Sequence, residues 1–184
     1  MMEDLAMHTL EILMNSVHAG AKNIKLDITD SAAKDELLIS VLDDGKGMDE
    51  ETAKKASDPF YTSRTTRKIG MGLAFLRGLA ETCGGEFSLT SEPGKGTLVA
   101  ASVQRSNIDT PPLGDIGEMM METIQADGDI DYELAYVTDN GRFGFSTKEA
   151  KEMLDGVSIL EPGVLLWIKE YINEGIKQVK EDIV

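Results

Sequence analysis

The chain is short of three things, and each shortage excludes something. It has a single cysteine, Cys83, in 184 residues, so it forms no internal disulfide and offers no cysteine cluster to a metal; a lone thiol agrees with a reducing compartment. Long apolar runs are missing as well. No stretch of ~18 consecutive apolar residues occurs, and no basic N-terminal segment leads into an apolar one, so neither a membrane span nor a secretory leader is indicated and a cytoplasmic location is expected. Positive charge is scarce: 18 Lys and Arg stand against 33 Asp and Glu, a net charge of −15. The imbalance is concentrated late in the chain, since residues 1–105 hold 12 Lys/Arg and 16 Asp/Glu whereas residues 106–184 hold 6 and 17. Phosphate backbones and anionic lipid repel such a segment, which argues against nucleic acid and membrane surfaces and points to a protein partner of basic character.

What is present belongs to a folded protein. A composition of 41% hydrophobic and 28% charged residues is that of an ordinary globular chain, and its length suffices for one core with a smaller appendage. Leu5, Ile12, Leu13 and Val17 recur at helical spacing up to Gly20, which predicts a helix over residues 4–19. Alternation at Ile24, Leu26 and Ile28, then the apolar run Leu37 to Leu42, predict two neighbouring strands. A short helix opened by Asp49, a loop over 57–69 and a helix over 70–82 follow. Phe87–Ser91 and Leu98–Gln104 read as a hairpin around Pro93-Gly94-Lys95-Gly96. This order suits helices layered on one face of a mixed sheet.

The stretch Ser106 to Gly114, with Pro111-Pro112, marks the expected boundary between a first domain, residues 1–105, and a small acidic α+β domain, residues 106–184. The second segment is expected to hold a helix near 115–125, a hairpin over 131–146 turned at Asn140-Gly141, and helices near 147–154 and 162–180. Trp167 and Tyr171, four apart on the last helix, are expected to pack against the fold. That helix could pack on the hairpin or on a second copy in a homodimer.

The chemistry-bearing residues fall in three groups. Glu11 and Asn15 share one face of the first helix, and His8 and His18 extend the stripe by three residues each way. Asp43-Asp44-Gly45-Lys46-Gly47-Met48 follows an apolar strand directly, so a carboxylate would sit at the strand end while the glycines let the backbone approach a flat ligand. One buried carboxylate accepting an amino proton can select adenine. Gly70-Met71-Gly72-Leu73 opens a helix, where free backbone N–H groups and the dipole favour phosphate. Alone, each pattern is commonly ordinary structure: a solvated face, a turn, a helix start.

Together with Gly94-Lys95-Gly96-Thr97, and in this order, the motifs resemble the ATP-binding domain shared by DNA gyrase B, heat-shock chaperone ATPases, histidine kinases and MutL, the GHKL superfamily. The resemblance covers about residues 3–104. Glu11 to Ala21 resembles its asparagine box, Asp43 to Met48 its first glycine box and Gly70 to Ala74 its second. It implies an α+β, two-layer sandwich of the Bergerat type, and ATP with Mg²⁺ as the bound groups. It implies that Asn15 ligates Mg²⁺, that Asp43 accepts from the adenine amino group with Gly47 and Met48 against the ring, that Thr97 joins through a bridging water, and that Gly45 belongs to the ATP-binding set. Glu11 stands where hydrolysing members polarise water and kinases assist proton transfer. His18 stands where histidine kinases carry a basic phosphate contact and MutL an aspartate. Lys68, Gly70, Met71, Gly72 and Leu73 complete the ATP-binding set, with Arg64 and Arg67 in a lid segment begun by Pro59-Phe60. Lys68-Ile69 replaces the usual Gly-Thr, which implies a differently held γ-phosphate.

The chain starts at the asparagine-box helix, and His8 is followed by Thr9, so a conventional self-phosphorylating sensor is not expected. Over its length the chain also resembles short stand-alone ATP-binding proteins. The expected function is transfer of the γ-phosphate in trans to a protein by a regulatory kinase. The alternatives are a slow ATPase switch and a non-catalytic nucleotide sensor.

Overall fold

The computed structural model describes residues 4–58 and 71–181. Helix α1 (Leu5–His18) begins where the Asp4 carboxylate accepts from the Met7 N–H, and it buries Leu5, Ala6, Thr9, Ile12, Leu13 and Ser16 at steps of three and four; such a cap satisfies one of the free N–H groups at a helix start. Strands β1 (Asn23–Ser31) and β2 (Glu36–Asp43) form an antiparallel hairpin. Helix α2 (Glu50–Ala56) is capped by Asp49, with Glu50 and Glu51 in its first turn and Lys54 and Lys55 in its last, the arrangement its dipole favours. Helix α3 (Gly72–Thr82) precedes the hairpin β3 (Phe87–Glu92) and β4 (Gly96–Gln104). Then come α4 (Ile116–Ala126), β5 (Asp131–Thr138), β6 (Arg142–Ser146), α5 (Thr147–Met153) and α6 (Pro162–Glu181). Each of these elements lies where the periodicity of the sequence predicts it.

Among the described residues six strands form one sheet in the order β3-β4-β2-β1-β5-β6. Every pairing is antiparallel except β1 with β5, which is parallel, so the sheet is mixed. One face carries Ile24, Leu26, Ile28, Ile39, Val41, Val99, Leu134 and Tyr136, all buried. The alternate residues Lys25, Leu42, Leu98 and Glu133 are exposed, so the helices cover one face only. The architecture is the expected two-layer α/β sandwich, with the core between sheet and helices.

The spatial relation of the two segments is not written in the periodicity. Strand β5, from the second segment, pairs with β1 from Asn23 to Asp30, with Ile24 opposite Tyr132 and Leu26 opposite Leu134. The stretch between the segments also reaches back: the Pro112 and Leu113 carbonyls accept from the N–H groups of Leu5 and Ala6 at 2.9 and 2.8 Å. Two further orphan donors of α1 are thus satisfied by residues about a hundred positions away. At the far end of β1, the Tyr136 hydroxyl donates to Asp30 at 2.8 Å and Arg105 Nε pairs with the same carboxylate at 2.6 Å. Burial, reinforced by the Asp30 carboxylate, pushes the Tyr136 hydroxyl well above the usual phenol range.

Within the second segment α6 packs on α4 and on the β5–β6 hairpin. Trp167 stacks on Tyr171 with centroids 5.2 Å apart, and Tyr171 meets Phe143 at 5.6 Å. The pair packs as expected, yet Trp167 and Tyr171 remain 45% and 46% exposed.

Because β5 protects one side of β1 and α4 covers α1, a fragment ending at Arg105 would expose the β1 edge and the apolar faces of Leu5 and Ile28. It is expected to lose cooperative thermal unfolding and to bind a hydrophobic dye, both read against the full chain by circular dichroism and fluorescence.

Candidate functional site

A cavity of about 360 Å³ opens between α1 and the sheet, at the end where β2 finishes. Asn15, Ser16 and His18 of α1 form one wall and Asp43, Thr97 and Val99 the floor, while Met48 and Leu73 close the sides. Its centre of polarity is Asp43, the last residue of β2, only 6% exposed. Ser16 Oγ donates to Asp43 Oδ2 at 2.6 Å, and the Gly45 N–H donates to Oδ1 at 2.9 Å. A buried carboxylate requires such donors. Two donors leave part of its acceptor capacity open, and that capacity suits only a ligand N–H or O–H.

Asp44, its neighbour, does something else. It turns away and accepts from the N–H groups of Lys22 and Asn23 at 2.7 and 2.9 Å and from Asn23 Nδ2 at 2.8 Å. Burial works to raise the Asp44 pKa, but the Asn23 and Lys22 hydrogen bonds outweigh it and hold the carboxyl below its ordinary value. One aspartate therefore serves the cavity and the other fastens the loop.

The glycines expected around the ligand have steric reasons. Gly47 adopts φ 63°, and a Cβ there would fall 2.0 Å from the Glu92 carbonyl oxygen; only glycine fits so close to the β3–β4 turn. The Gly94 N–H donates to the Lys46 carbonyl at 2.7 Å, joining turn and loop again. Met48 lines the cavity while its N–H donates to Ser91 Oγ at 2.8 Å. Thr97 lies opposite Asp43 in the β2–β4 register.

Glu11 sits one turn before Asn15, beyond the cavity lining. Its carboxylate lies against the first residue of α3, where a Cβ on Gly72 would be 2.5 Å from Oε2. The base candidate and the glycine-box helix are thus in contact. Met71, the N-cap of α3, makes no side-chain cap and is 60% exposed, outside the cavity lining. Lys68 and Gly70, like the lid cations Arg64 and Arg67, lie outside the described residues. His8 is half-buried, and among the described residues its Nδ1 has no partner.

Two side chains that hydrogen-bond cavity residues carry no motif of their own. Ser16 follows Asn15 directly, and its one legible signal is a hydroxyl in the buried stripe of α1. Ser91 meets Met48 across 43 residues, a contact that no local pattern announces.

A mixed sheet with helices on one face, and a cavity at the strand ends lined by a buried acceptor carboxylate and a helix-borne Asn, with a Glu one turn further along the helix, defines a nucleotide-binding sandwich. The chain belongs to the histidine kinase-, DNA gyrase B-, and HSP90-like ATPase family, which it matches over residues 3–107. Among curated proteins it is 36% identical over 90 residues to sporulation kinase E of Bacillus subtilis, covering 48% of this chain and 12% of that protein. It is 35% identical over 109 residues to the sensor protein kinase FleS of Pseudomonas aeruginosa, covering 59% of this chain and 26% of that protein. The chain thus spans about an eighth and a quarter of these relatives. Among solved structures it aligns with the Aquifex aeolicus MutL ATPase domain complexed with ADP at a TM-score of 0.48 and 15% identity, covering 86% of this chain and 71% of that one.

Burial holds the His8 imidazole below its ordinary value of 6.5, against the opposing pull of Glu11 and Asp4. The folded state therefore prefers neutral His8, and its contribution is present above that value and lost as pH falls, because the unfolded chain takes up the proton first. His8→Leu is expected to flatten the fall in melting temperature just below pH 6.5, read by thermal scans at a series of pH values.

Proposed function

We propose that the protein binds Mg-ATP in this cavity and transfers the γ-phosphate in trans to a protein acceptor, as a stand-alone regulatory kinase. The observation that carries the reading is the alignment on α1: Glu11 and Asn15 occupy successive turns, between the buried Asp43 carboxylate and the first residue of α3. Asp43 would accept a hydrogen bond from the adenine amino group, with Thr97 beside it. Asn15 brings one hard amide oxygen, which fits a magnesium ion that takes its remaining ligands from phosphate and water. The start of α3 at Gly72 would receive phosphate charge, with His18 lining the cavity. When bound, Mg²⁺ supplies charge neutralisation at the phosphates.

The residues of the chain divide the remaining work. Asp43 would orient the base end and Asn15 the phosphate end, while Glu11, against Gly72, would accept the proton of the attacking group. The curated relatives named as kinases support transfer to an acceptor. The acidic second segment supports a basic protein as that acceptor or as a regulator. A second reading, an ATPase switch, is favoured by the bonds from Leu5 and Ala6 to Pro112 and Leu113, since a shift of α1 on binding nucleotide would pass to the second segment.

Asp43→Asn removes the acceptor charge and offers a donor in its place. It is expected to weaken ATP binding by about 10- to 100-fold by calorimetry while leaving the melting temperature nearly unchanged; unaltered affinity would refute the assignment. Glu11→Ala is expected to keep nucleotide affinity and lower transfer or hydrolysis by about 100-fold or more. With γ-labelled ATP, Mg²⁺ and cell extract, label on a protein that vanishes in Asp43→Asn supports the kinase; label released only as phosphate supports the switch.

A further inference from the structure

Ser91 lies on β3 in register with Thr97 on β4, which faces Asp43 on β2. The three residues form a row across the strand ends. Ser91 Oγ has three polar neighbours: the Met48 N–H at 2.8 Å, Thr97 Oγ1 at 2.8 Å and the Gly96 carbonyl at 3.1 Å. A hydroxyl owns one proton and two lone pairs. The Met48 amide can only donate and the Gly96 carbonyl can only accept, so one arrangement satisfies all three contacts. Ser91 donates to Gly96 and accepts from both Met48 and Thr97.

The Thr97 proton is then committed to Ser91. Toward the cavity Thr97 shows lone pairs alone, and Asp43 beside it is an acceptor as well. We propose that Ser91 is a specificity-determining residue: by taking the Thr97 proton it makes this wall acceptor-only, so that the cavity favours a 6-amino purine over a 6-oxo purine. The proposal rests on the nucleotide reading above and adds how the base is chosen.

An amino group at position 6 brings N–H donors to Asp43. The neighbouring ring nitrogen, itself an acceptor, is served by a water that gives one proton to Thr97 and the other to the ring. An oxo group instead sets a carbonyl oxygen against two acceptors, and the mismatch counts against binding because unpaired polar groups are left in a half-closed site. Without the Ser91 hydroxyl, the Thr97 proton is released and can rotate into the cavity to meet that oxygen. Ser91 touches no ligand in this scheme; it acts through Thr97.

The test compares dissociation constants of ATP and inosine triphosphate, which differ only at position 6 and the adjoining ring proton, for the full chain, Ser91→Ala and Ser91→Thr. The expected result is an ATP preference of tenfold or more in the parent, a preference reduced by about tenfold in Ser91→Ala, and one retained in Ser91→Thr, whose hydroxyl replaces the lost one. Equal weakening of both nucleotides in Ser91→Ala would overturn the proposal and leave Ser91 as a support for the Met48 loop. An unchanged ratio in that variant, a lost ratio in Ser91→Thr, or a parent indifferent to the base would overturn it too. Failure of the nucleotide reading looks different, because neither triphosphate would then bind the parent.

Discussion

The candidate site depends on one buried charge. Asp43 ends a central strand beneath α1, where an isolated carboxylate would be costly, and it is kept there by the Ser16 hydroxyl and the Gly45 N–H. That pair of bonds ties the helix carrying Glu11 and Asn15 to the floor of the cavity and to the glycine loop. The loop is in turn pressed onto the β3–β4 turn through Gly47 and Met48. The bonds that solvate one carboxylate thus link α1 and the glycine loop at the floor of the cavity.

The same economy of contacts links the second segment to the first. Strand β5 closes the side of β1, and the Pro112 and Leu113 carbonyls hold the first turn of α1. A helix whose N-terminus is satisfied from another part of the chain is positioned by that part. The acidic segment is therefore part of what orients Glu11 and Asn15, which gives the proposed partner interaction a physical route to the cavity.

Much of the site was legible before any coordinates. Glu11, Asn15 and Asp43 were legible because four motifs fall in one family's order; alone, a polar helix face or an Asp-Gly turn after a strand is commonly ordinary structure. Asp44, next to Asp43, carries the same side chain and takes a different role, and only the position of Asn23 beside it distinguishes the two. His18 and Thr97 line the cavity as the motif order implied, whereas Met71 turns outward from its cap position. Ser16 and Ser91 were not singled out, because a serine has no periodic signature and acquires a role only from the atoms set around it.

By itself the sequence determined the elements, their order, the acidic second segment and the motifs by which the chain resembles an ATP-binding family, since periodicity, turn chemistry and motif order are local properties of the chain. Tertiary structure alone decided that β5 joins β1 in parallel, that the segment around Pro112 caps α1, and which hydroxyls organise Asp43 and Thr97. Except for Ser91 and Thr97, which the hairpin register brings together, those are pairings between residues separated by tens of positions or more. Hydrogen-bond capacity and burial select them among many alternatives that the local sequence leaves equally open.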